Sequence, residues 1–396
     1  MNKIIIIGAG VCGVTAAFSL RDLGYTGQIT LISAEAELPY ERPPLSKYME
    51  TTNVSLRSSD DYSAADISLL LSTQVVRLES DNKRIELSSG AALEYDQLLI
   101  ATGSQARVIS NFKKCKTLRT LSDAAKIHAS FKIGARIGIV GAGFIGLELA
   151  ATARREGAEV TVYEAGTRVL ARAVPEIFSQ ELAERHIREG VVLNTNIDIE
   201  SADSSTIVLR DGTVHKFDMV VAGIGNTPNV DLAKTAGCAI KNGIEVDARF
   251  QTSVPDVFAA GDCCNFPWRG KRMRLESINS AQNHGAAAAR TMLGSLAEYD
   301  EVPWFWSDQY DLNLQVAGIF DADRMVYERP TEGSGRLLLQ FDPEGKLIAA
   351  ARLGIGMSGA KDLRILQKII QRQNLVSHEQ ILDPSTSLKS ALKAPS

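Results

Sequence analysis

No apolar run in the 396-residue chain approaches the roughly 20 residues that a membrane-spanning helix needs, so no membrane partner is expected. The first apolar stretch, Ile4-Ile5-Ile6-Ile7, comes directly after Met-Asn-Lys and is too short for the core of a secretion signal. It reads as a buried strand, and the expected location is the cytoplasm. An excess of positive charge is also lacking. The 43 Lys and Arg face 47 Asp and Glu, a formal net charge of −4. A dedicated nucleic-acid binder would be clearly basic, so nucleic acid is not an expected partner. Cysteine is sparse. Cys12, Cys115, Cys238, Cys263 and Cys264 form no CxxC pair and no zinc-type spacing, which argues against a disulfide framework and against a metal site. Cys263 and Cys264 are adjacent, and a vicinal pair closes only under strain, so all five are read as packing residues.

What the chain does have is one supersecondary unit written twice. Residues 3–7 form a strand without alternation, apolar on both faces as in a parallel sheet. A glycine turn, a helix at 11–23, Gly24 and a strand at 29–33 complete a βαβ unit. The grammar returns with a strand at 136–140, a glycine turn at 141–146, a helix at 144–156, Gly157 and a strand at 160–164. Gly8 and Gly141, which open the two turns, lie 133 residues apart. Two dinucleotide-sized modules follow from this repeat. After residue 304 the pattern becomes β-rich, with strands expected at 312–316, 325–327, 336–341 and 346–352. A helix is expected at 360–372, with Leu363, Leu366, Ile369 and Ile370 at helical spacing. The last dozen residues are polar and expected to be mobile. The expected fold class is α/β, two doubly wound Rossmann-like dinucleotide-binding domains plus a small C-terminal α+β domain.

The first fingerprint is Gly8-Ala9-Gly10-Val11-Cys12-Gly13. Gly8 permits the tight turn, Gly10 lets the backbone approach a pyrophosphate, and Gly13 lets helix and strand pack closely. The helix N-terminus offers free N–H groups and a positive dipole end. Glu35, just past the second strand, is placed to hold a ribose hydroxyl. The second fingerprint is Gly141-Ala142-Gly143-Phe144-Ile145-Gly146, with Glu164 at the end of its second strand. A carboxylate there accepts from the 2′-hydroxyl of NADH and repels the 2′-phosphate of NADPH; Arg168, close by, works the other way. Hydride transfer from a nicotinamide to a flavin is the physical reason to bind two dinucleotides. Glycine spacing does not say which module takes which.

Further segments resemble the pyridine nucleotide-disulfide oxidoreductase superfamily, the glutathione-reductase-like flavoproteins. Leu99-Ile100-Ala101-Thr102-Gly103 is similar to the motif that returns the chain to FAD. Residues 220–229, with Gly225 at their turn, are similar to the motif that ends the NAD domain. Val257-Phe258-Ala259-Ala260-Gly261-Asp262 resembles the Gly-Asp motif whose aspartate binds the ribityl chain. The resemblance implies FAD at the N-terminal fingerprint and NADH at the second. It also implies an FAD-binding domain at 1–112 and 241–303, an NAD-binding domain at 113–240 and a C-terminal domain at 304–396. Pro39-Tyr40-Glu41-Arg42-Pro43-Pro44-Leu45-Ser46-Lys47, Arg274-Leu275-Glu276-Ser277-Ile278-Asn279 and Trp304-Phe305-Trp306-Ser307-Asp308-Gln309 narrow the resemblance to the oxygenase-coupled NADH-dependent ferredoxin reductases.

That narrower resemblance implies a ferredoxin–NAD(+) reductase. It passes electrons from NADH through FAD to a small acidic [2Fe–2S] ferredoxin that supplies an oxygenase; a rubredoxin acceptor, or another flavoprotein reductase activity, is the alternative. Disulfide reductases of this scaffold carry a CxxxxC pair beside the flavin. Residues 42–47 hold none, so electrons do not leave through a disulfide there. By resemblance Arg42, Val75, Arg119 and Ile278 surround FAD, Lys47 and Glu276 lie near its ring, and Glu148 lies near the nicotinamide. Two other readings stay open: Lys47 as a surface residue at a turn, and Glu148 as a complement to its helix dipole. Trp304 and Trp306 either shield the flavin or anchor the C-terminal domain. Residues 268–274 carry Arg269, Lys271, Arg272 and Arg274 beside Trp268. This run is read either as a docking patch for an acidic carrier or as a solvated loop.

Overall fold

The structure, a computed structural model, describes residues 3–50, 54–331, 335–356, 360–373 and 375–393. The chain divides into two compact units. One comprises Met1–Arg42, Thr52–Gln105 and Asn226–Glu301; the other comprises Pro43–Thr51, Ala106–Gly225 and Val302–Ser396.

The first unit is built on a parallel sheet ordered Val257–Ala259, Gln97–Ile100, Lys3–Ile7, Gln28–Ile32 and Ile67–Leu70. The isoleucine strand lies in the middle, where both of its apolar faces are covered. The chain winds outward from it in one direction and then resumes on its other side. Strand order therefore reverses beside Lys3–Ile7, and such a switch point opens a crevice at the carboxyl ends of the strands. The helix Val11–Asp22 leads away from this crevice, and the helix Ile278–Met292 lies against it. A Cβ on Gly285 would overlap the Cys12 carbonyl oxygen, so these two helices meet backbone to backbone.

The second unit repeats the design with a parallel sheet ordered Val192–Asn194, Glu159–Tyr163, Arg136–Val140 and Met219–Ala222. Its reversal falls beside Arg136–Val140, from which the helix Phe144–Arg155 departs. The same unit holds an antiparallel sheet ordered Trp304–Gln309, Leu312–Gly318, Leu347–Ile355, Arg336–Phe341 and Val326–Arg329. The helix Ala360–Arg372 seals one face with Leu363, Leu366, Ile369 and Ile370, all buried as their spacing predicts. The polar tail departs from expectation. Leu388–Lys393 is a short helix whose Leu388 and Ala391 join that core; residues 394–396 lie outside the described residues. Among the described residues, no helix is long and apolar enough to cross a membrane.

Candidate functional site

In the first unit Gly8 has φ +106°, a conformation that L side chains rarely adopt. A Cβ there would overlap the Ala101 carbonyl oxygen, and one on Gly13 would overlap that of Gly8. Gly10 differs, because nothing lies within 4 Å of where its Cβ would be. It N-caps the helix Val11–Asp22 with no side-chain cap. The first amides of this helix and its positive dipole end thus face open space, the cradle that a pyrophosphate fits. Ala101, Thr102 and Gly103 line the neighbouring strand end. Thr102 Oγ1 donates to the Asn229 carbonyl (2.8 Å), and Asn229 Nδ2 donates to the Thr102 carbonyl (2.9 Å). Gly261, at φ +81°, packs on Cys12, and the Asp262 carboxylate accepts from Ser104 Oγ at 3.1 Å.

Glu35 does not stand alone at the second strand end. It accepts from Arg42 at 2.7 Å and from the Tyr40 hydroxyl at 2.5 Å, so two predicted residues form one ion pair. Val75 is buried at the head of Val75–Glu79, and Ile278 opens its helix behind the N-cap Ser277. Glu276 accepts from Asn226 Nδ2 at 2.8 Å and pairs with Arg274. Burial raises the Cys12 thiol well above its usual pKa. Burial likewise raises Cys263 to about 11, and its thiol donates to the Ile100 and Ala260 carbonyls. Such thiols are inert packing groups.

The second unit reproduces the cradle. A Cβ on Gly146 would overlap the Gly141 carbonyl oxygen, whereas Gly143 has nothing within 4 Å and N-caps Phe144–Arg155 without a side-chain cap. Ile145 lies in the first turn of that helix, and Phe144 meets Phe305 edge-on at 5.2 Å. The Glu164 carboxylate accepts from the N–H groups of Ala142 and Gly166, both at 2.7 Å, which fixes it at the mouth of the turn. Arg168 spends its guanidinium on the carbonyls of Val174 (3.0 Å) and Ala171 (2.8 Å). Gly225, at φ +102°, accepts from the Arg107 N–H, and the Arg119 N–H donates to Asp123 ahead of the helix Leu121–His128.

Lys47 is neither exposed nor a simple turn residue. Its ammonium lies 2.7 Å from Glu148 Oε1, and the two side chains are only 8% and 5% exposed. Glu148 also accepts from Ser307 Oγ at 2.6 Å and from Ser46 Oγ. That is an internal ion pair rather than a dipole complement. Helical spacing explains the grip on the Lys47 segment: Glu148, Thr152 and Arg155 share one face. Thr152 Oγ1 donates to the Ser46 carbonyl at 2.8 Å, and Arg155 donates to that of Lys47. Trp304 and Trp306, two apart on one strand, stack at 5.3 Å, and Trp304 packs on the C-terminal core.

The basic run at 268–274 is largely neutralised. Arg269 pairs with Asp300 (3.1 Å), Arg272 with Glu245 (3.4 Å) and Arg274 with Glu276, while Lys271 is exposed. A chain-wide cation count cannot see these carboxylates, and the structure weakens the docking reading.

Residues 2–285 match the pyridine nucleotide-disulphide oxidoreductase family, and residues 304–392 match a reductase C-terminal domain. The chain belongs to the pyridine nucleotide-disulphide oxidoreductase family. It is 35% identical to the ferredoxin–NAD(+) reductase component of the p-cumate 2,3-dioxygenase system of Pseudomonas putida, over 98% of each chain. It is 34% identical to rhodocoxin reductase of Rhodococcus erythropolis, over 98% of this chain and 94% of that one. Among solved structures, the reductase in the covalent putidaredoxin reductase–putidaredoxin complex matches with a TM-score of 0.92 at 31% identity, covering 100% of this chain and 99% of the other. In this pyridine nucleotide-disulphide oxidoreductase, the residues around Lys47 and Glu148 that sequence reasoning missed are Ser46, Thr152, Arg155 and Ser307. Ser46 and Ser307 lie inside motifs already recognised.

Proposed function

We propose that the chain is an FAD-dependent NADH:ferredoxin reductase, cytoplasmic, serving a small acidic [2Fe–2S] ferredoxin that feeds an oxygenase. The observation that carries this is two dinucleotide cradles in one chain, with Lys47 in an ion pair where related disulfide reductases keep a cysteine pair. The likeness to the ferredoxin–NAD(+) reductase component of the p-cumate 2,3-dioxygenase system and to the reductase of the putidaredoxin complex supports the ferredoxin acceptor over rubredoxin. The five cysteines, all free and buried, accord with a reducing compartment.

The residues divide by task. Gly8, Gly10 and Gly13 with the N-terminus of Val11–Asp22 hold the FAD pyrophosphate, Glu35 with Arg42 its ribose, and Asp262 its ribityl chain. Gly141, Gly143 and Gly146 hold the NADH pyrophosphate. Glu164 accepts from the adenosine ribose and excludes a 2′-phosphate by charge. Arg168, committed to two backbone carbonyls, does not offset it. Lys47 and Glu148 fix one another as a buried charge pair, so neither faces the reaction as an uncompensated ion. FAD, when bound, supplies the conversion from a two-electron donor to one-electron acceptors.

Anaerobic stopped-flow spectroscopy tests this. NADH should bleach the flavin of the purified yellow protein rapidly and NADPH much more slowly, and oxidised [2Fe–2S] ferredoxin should then be reduced. Flavin bleaching without ferredoxin reduction would reject the acceptor and leave the two-cofactor assignment.

A further inference from the structure

Ser307 and Gln309 lie two apart on the strand Trp304–Gln309, so they share a face, and each is 1% exposed. Ser307 Oγ is 2.6 Å from Glu148 Oε1. An ionised carboxylate only accepts, so the Ser307 hydroxyl donates. Its oxygen in turn accepts from Gln309 Nε2 at 3.2 Å. The opposite orientation of the Gln309 amide is excluded, because Ser307 would then need two protons. The amide oxygen therefore faces His186 Nε2 at 2.9 Å, and since that oxygen only accepts, the imidazole proton is on Nε2. His186 Nδ1 is left to accept from the Tyr310 hydroxyl at 3.3 Å. Arg185 closes the outer end, 5.1 Å over the Tyr310 ring and paired with Glu189 and Asp311.

Each of the four side chains Tyr310, His186, Gln309 and Ser307 thus donates toward Glu148. His186 is fully buried, and burial holds its pKa below the usual histidine value, with Arg185 lowering it further and Gln309 and Glu189 opposing. The ring stays neutral and its tautomer is fixed. At the inner end Ser307 and Lys47 both engage Oε1, and Ser46 engages Oε2. The carboxylate is held at both oxygens, and one of those holds is set by residues on the helix Glu176–Arg188 and the C-terminal sheet.

We propose that Gln309 and His186 are positioning residues for Glu148, acting through the Ser307 hydroxyl to hold the carboxylate in the orientation that NADH oxidation needs, which rests on the reductase reading above. Cutting the line at Gln309 frees the Ser307 hydroxyl to turn away from Glu148 without touching either glycine cradle.

Two readouts test this on the full-length flavoprotein. Selective ¹⁵N-histidine NMR of the wild type at pH 7 should show, among the signals of its five histidines, a neutral imidazole with its proton on Nε2 that is assigned to His186 by its loss in His186→Gln, and Gln309→Leu should alter that signal. In anaerobic stopped flow, Gln309→Leu should slow the limiting rate of flavin bleaching by NADH roughly ten- to a hundredfold, while the NADH dissociation constant stays within about twofold. If Gln309→Leu does not fold, Gln309→Glu keeps the volume but accepts from Ser307, and the same loss is expected. Ser307→Ala combined with either variant should be no slower than Ser307→Ala alone. Additive losses, or a wild-type His186 carrying its proton on Nδ1, would overturn the proposal. A wild-type flavin that NADH does not bleach would instead sink the reductase reading, and the NMR signal would still report whether the line of hydrogen bonds exists.

Discussion

His284 should make the first unit acid-sensitive in a way one substitution can remove. Its ring is fully buried between Phe266 (4.6 Å), Phe250 (4.7 Å) and Tyr299 (4.8 Å). Cys264 Sγ lies 3.8 Å from Nδ1, and Nε2 has no hydrogen-bond partner among the described residues. Burial pushes its pKa down to about 3. The unfolded chain takes up a proton below its ordinary value of about 6.5, while the folded chain does not until about pH 3. The folded-state pKa is depressed, so the neutral ring's contribution is fully present above pH 6.5 and is lost as pH falls through the window from about 6.5 to 3. Between pH 7.5 and 5.0 that linkage amounts to about 2 kcal/mol. His284→Phe fills the same space without a titrating group. Urea unfolding of both proteins at the two pH values, at matched ionic strength, gives the four free energies needed. The wild type should lose about 2 kcal/mol more than His284→Phe on acidification, since the contributions of other groups cancel in the difference. Equal losses would refute the buried neutral histidine. The helix Ile278–Met292, which carries His284, packs on the helix whose N-terminus forms the first cradle. FAD retention should therefore weaken over the same pH range in the wild type more than in the variant.

The two kinds of glycine should separate in one experiment. Gly146→Ala overlaps the Gly141 carbonyl oxygen and should cost about 3 kcal/mol or more in stability by urea unfolding, whereas Gly143→Ala has open space and should fold normally but bind NADH at least roughly tenfold more weakly by titration calorimetry; equal stability losses would reject the distinction. Glu164→Gln keeps the shape of the side chain, removes its charge, and should raise kcat/KM for NADPH about tenfold relative to NADH; an unchanged ratio would mean that Glu164 does not face the adenosine ribose. Because Arg269, Arg272 and Arg274 are already paired with carboxylates, Lys271→Glu should alter ferredoxin reduction at low salt by less than about threefold. A change above tenfold would restore this loop as a docking patch.

What was legible in the sequence is what close backbone approach dictates locally. Gly8 and Gly13, like Gly141 and Gly146, are demanded by carbonyl oxygens where a Cβ would stand, so their spacing carries the turn, the helix start and the cradle together. The helix Ala360–Arg372 was legible because its apolar stripe has one partner surface. The strand Trp304–Gln309 was seen only as a motif. One of its faces meets Phe144 and Glu148 and the other the C-terminal core, so it shows no clean alternation. The tail misled because its few apolar side chains, Leu388 and Ala391, are enough to pin one turn. Lys47 and Glu148 were each singled out without their pairing, which spans 101 residues of chain, and the counter-ions of the basic run, Glu245 and Asp300, come from separate segments.

The helix Phe144–Arg155 explains why the sequence motif around Lys47 and the second fingerprint belong to one device. Its N-terminus is the second cradle, and its flank carries Glu148, Thr152 and Arg155 at successive turns. Those three hold the Lys47 ammonium, the Ser46 carbonyl and the Lys47 carbonyl. Residues 43–51 therefore belong by contact to the second unit, although the chain on either side of them belongs to the first. Lys47 is accordingly held in place relative to the second cradle by contacts within the second unit. A lysine chosen only for its charge would need no such anchoring of its main chain. Two backbone anchors and a buried counter-ion on the four-residue helix Pro44–Lys47 indicate that the position of this ammonium, as well as its charge, is what the fold maintains.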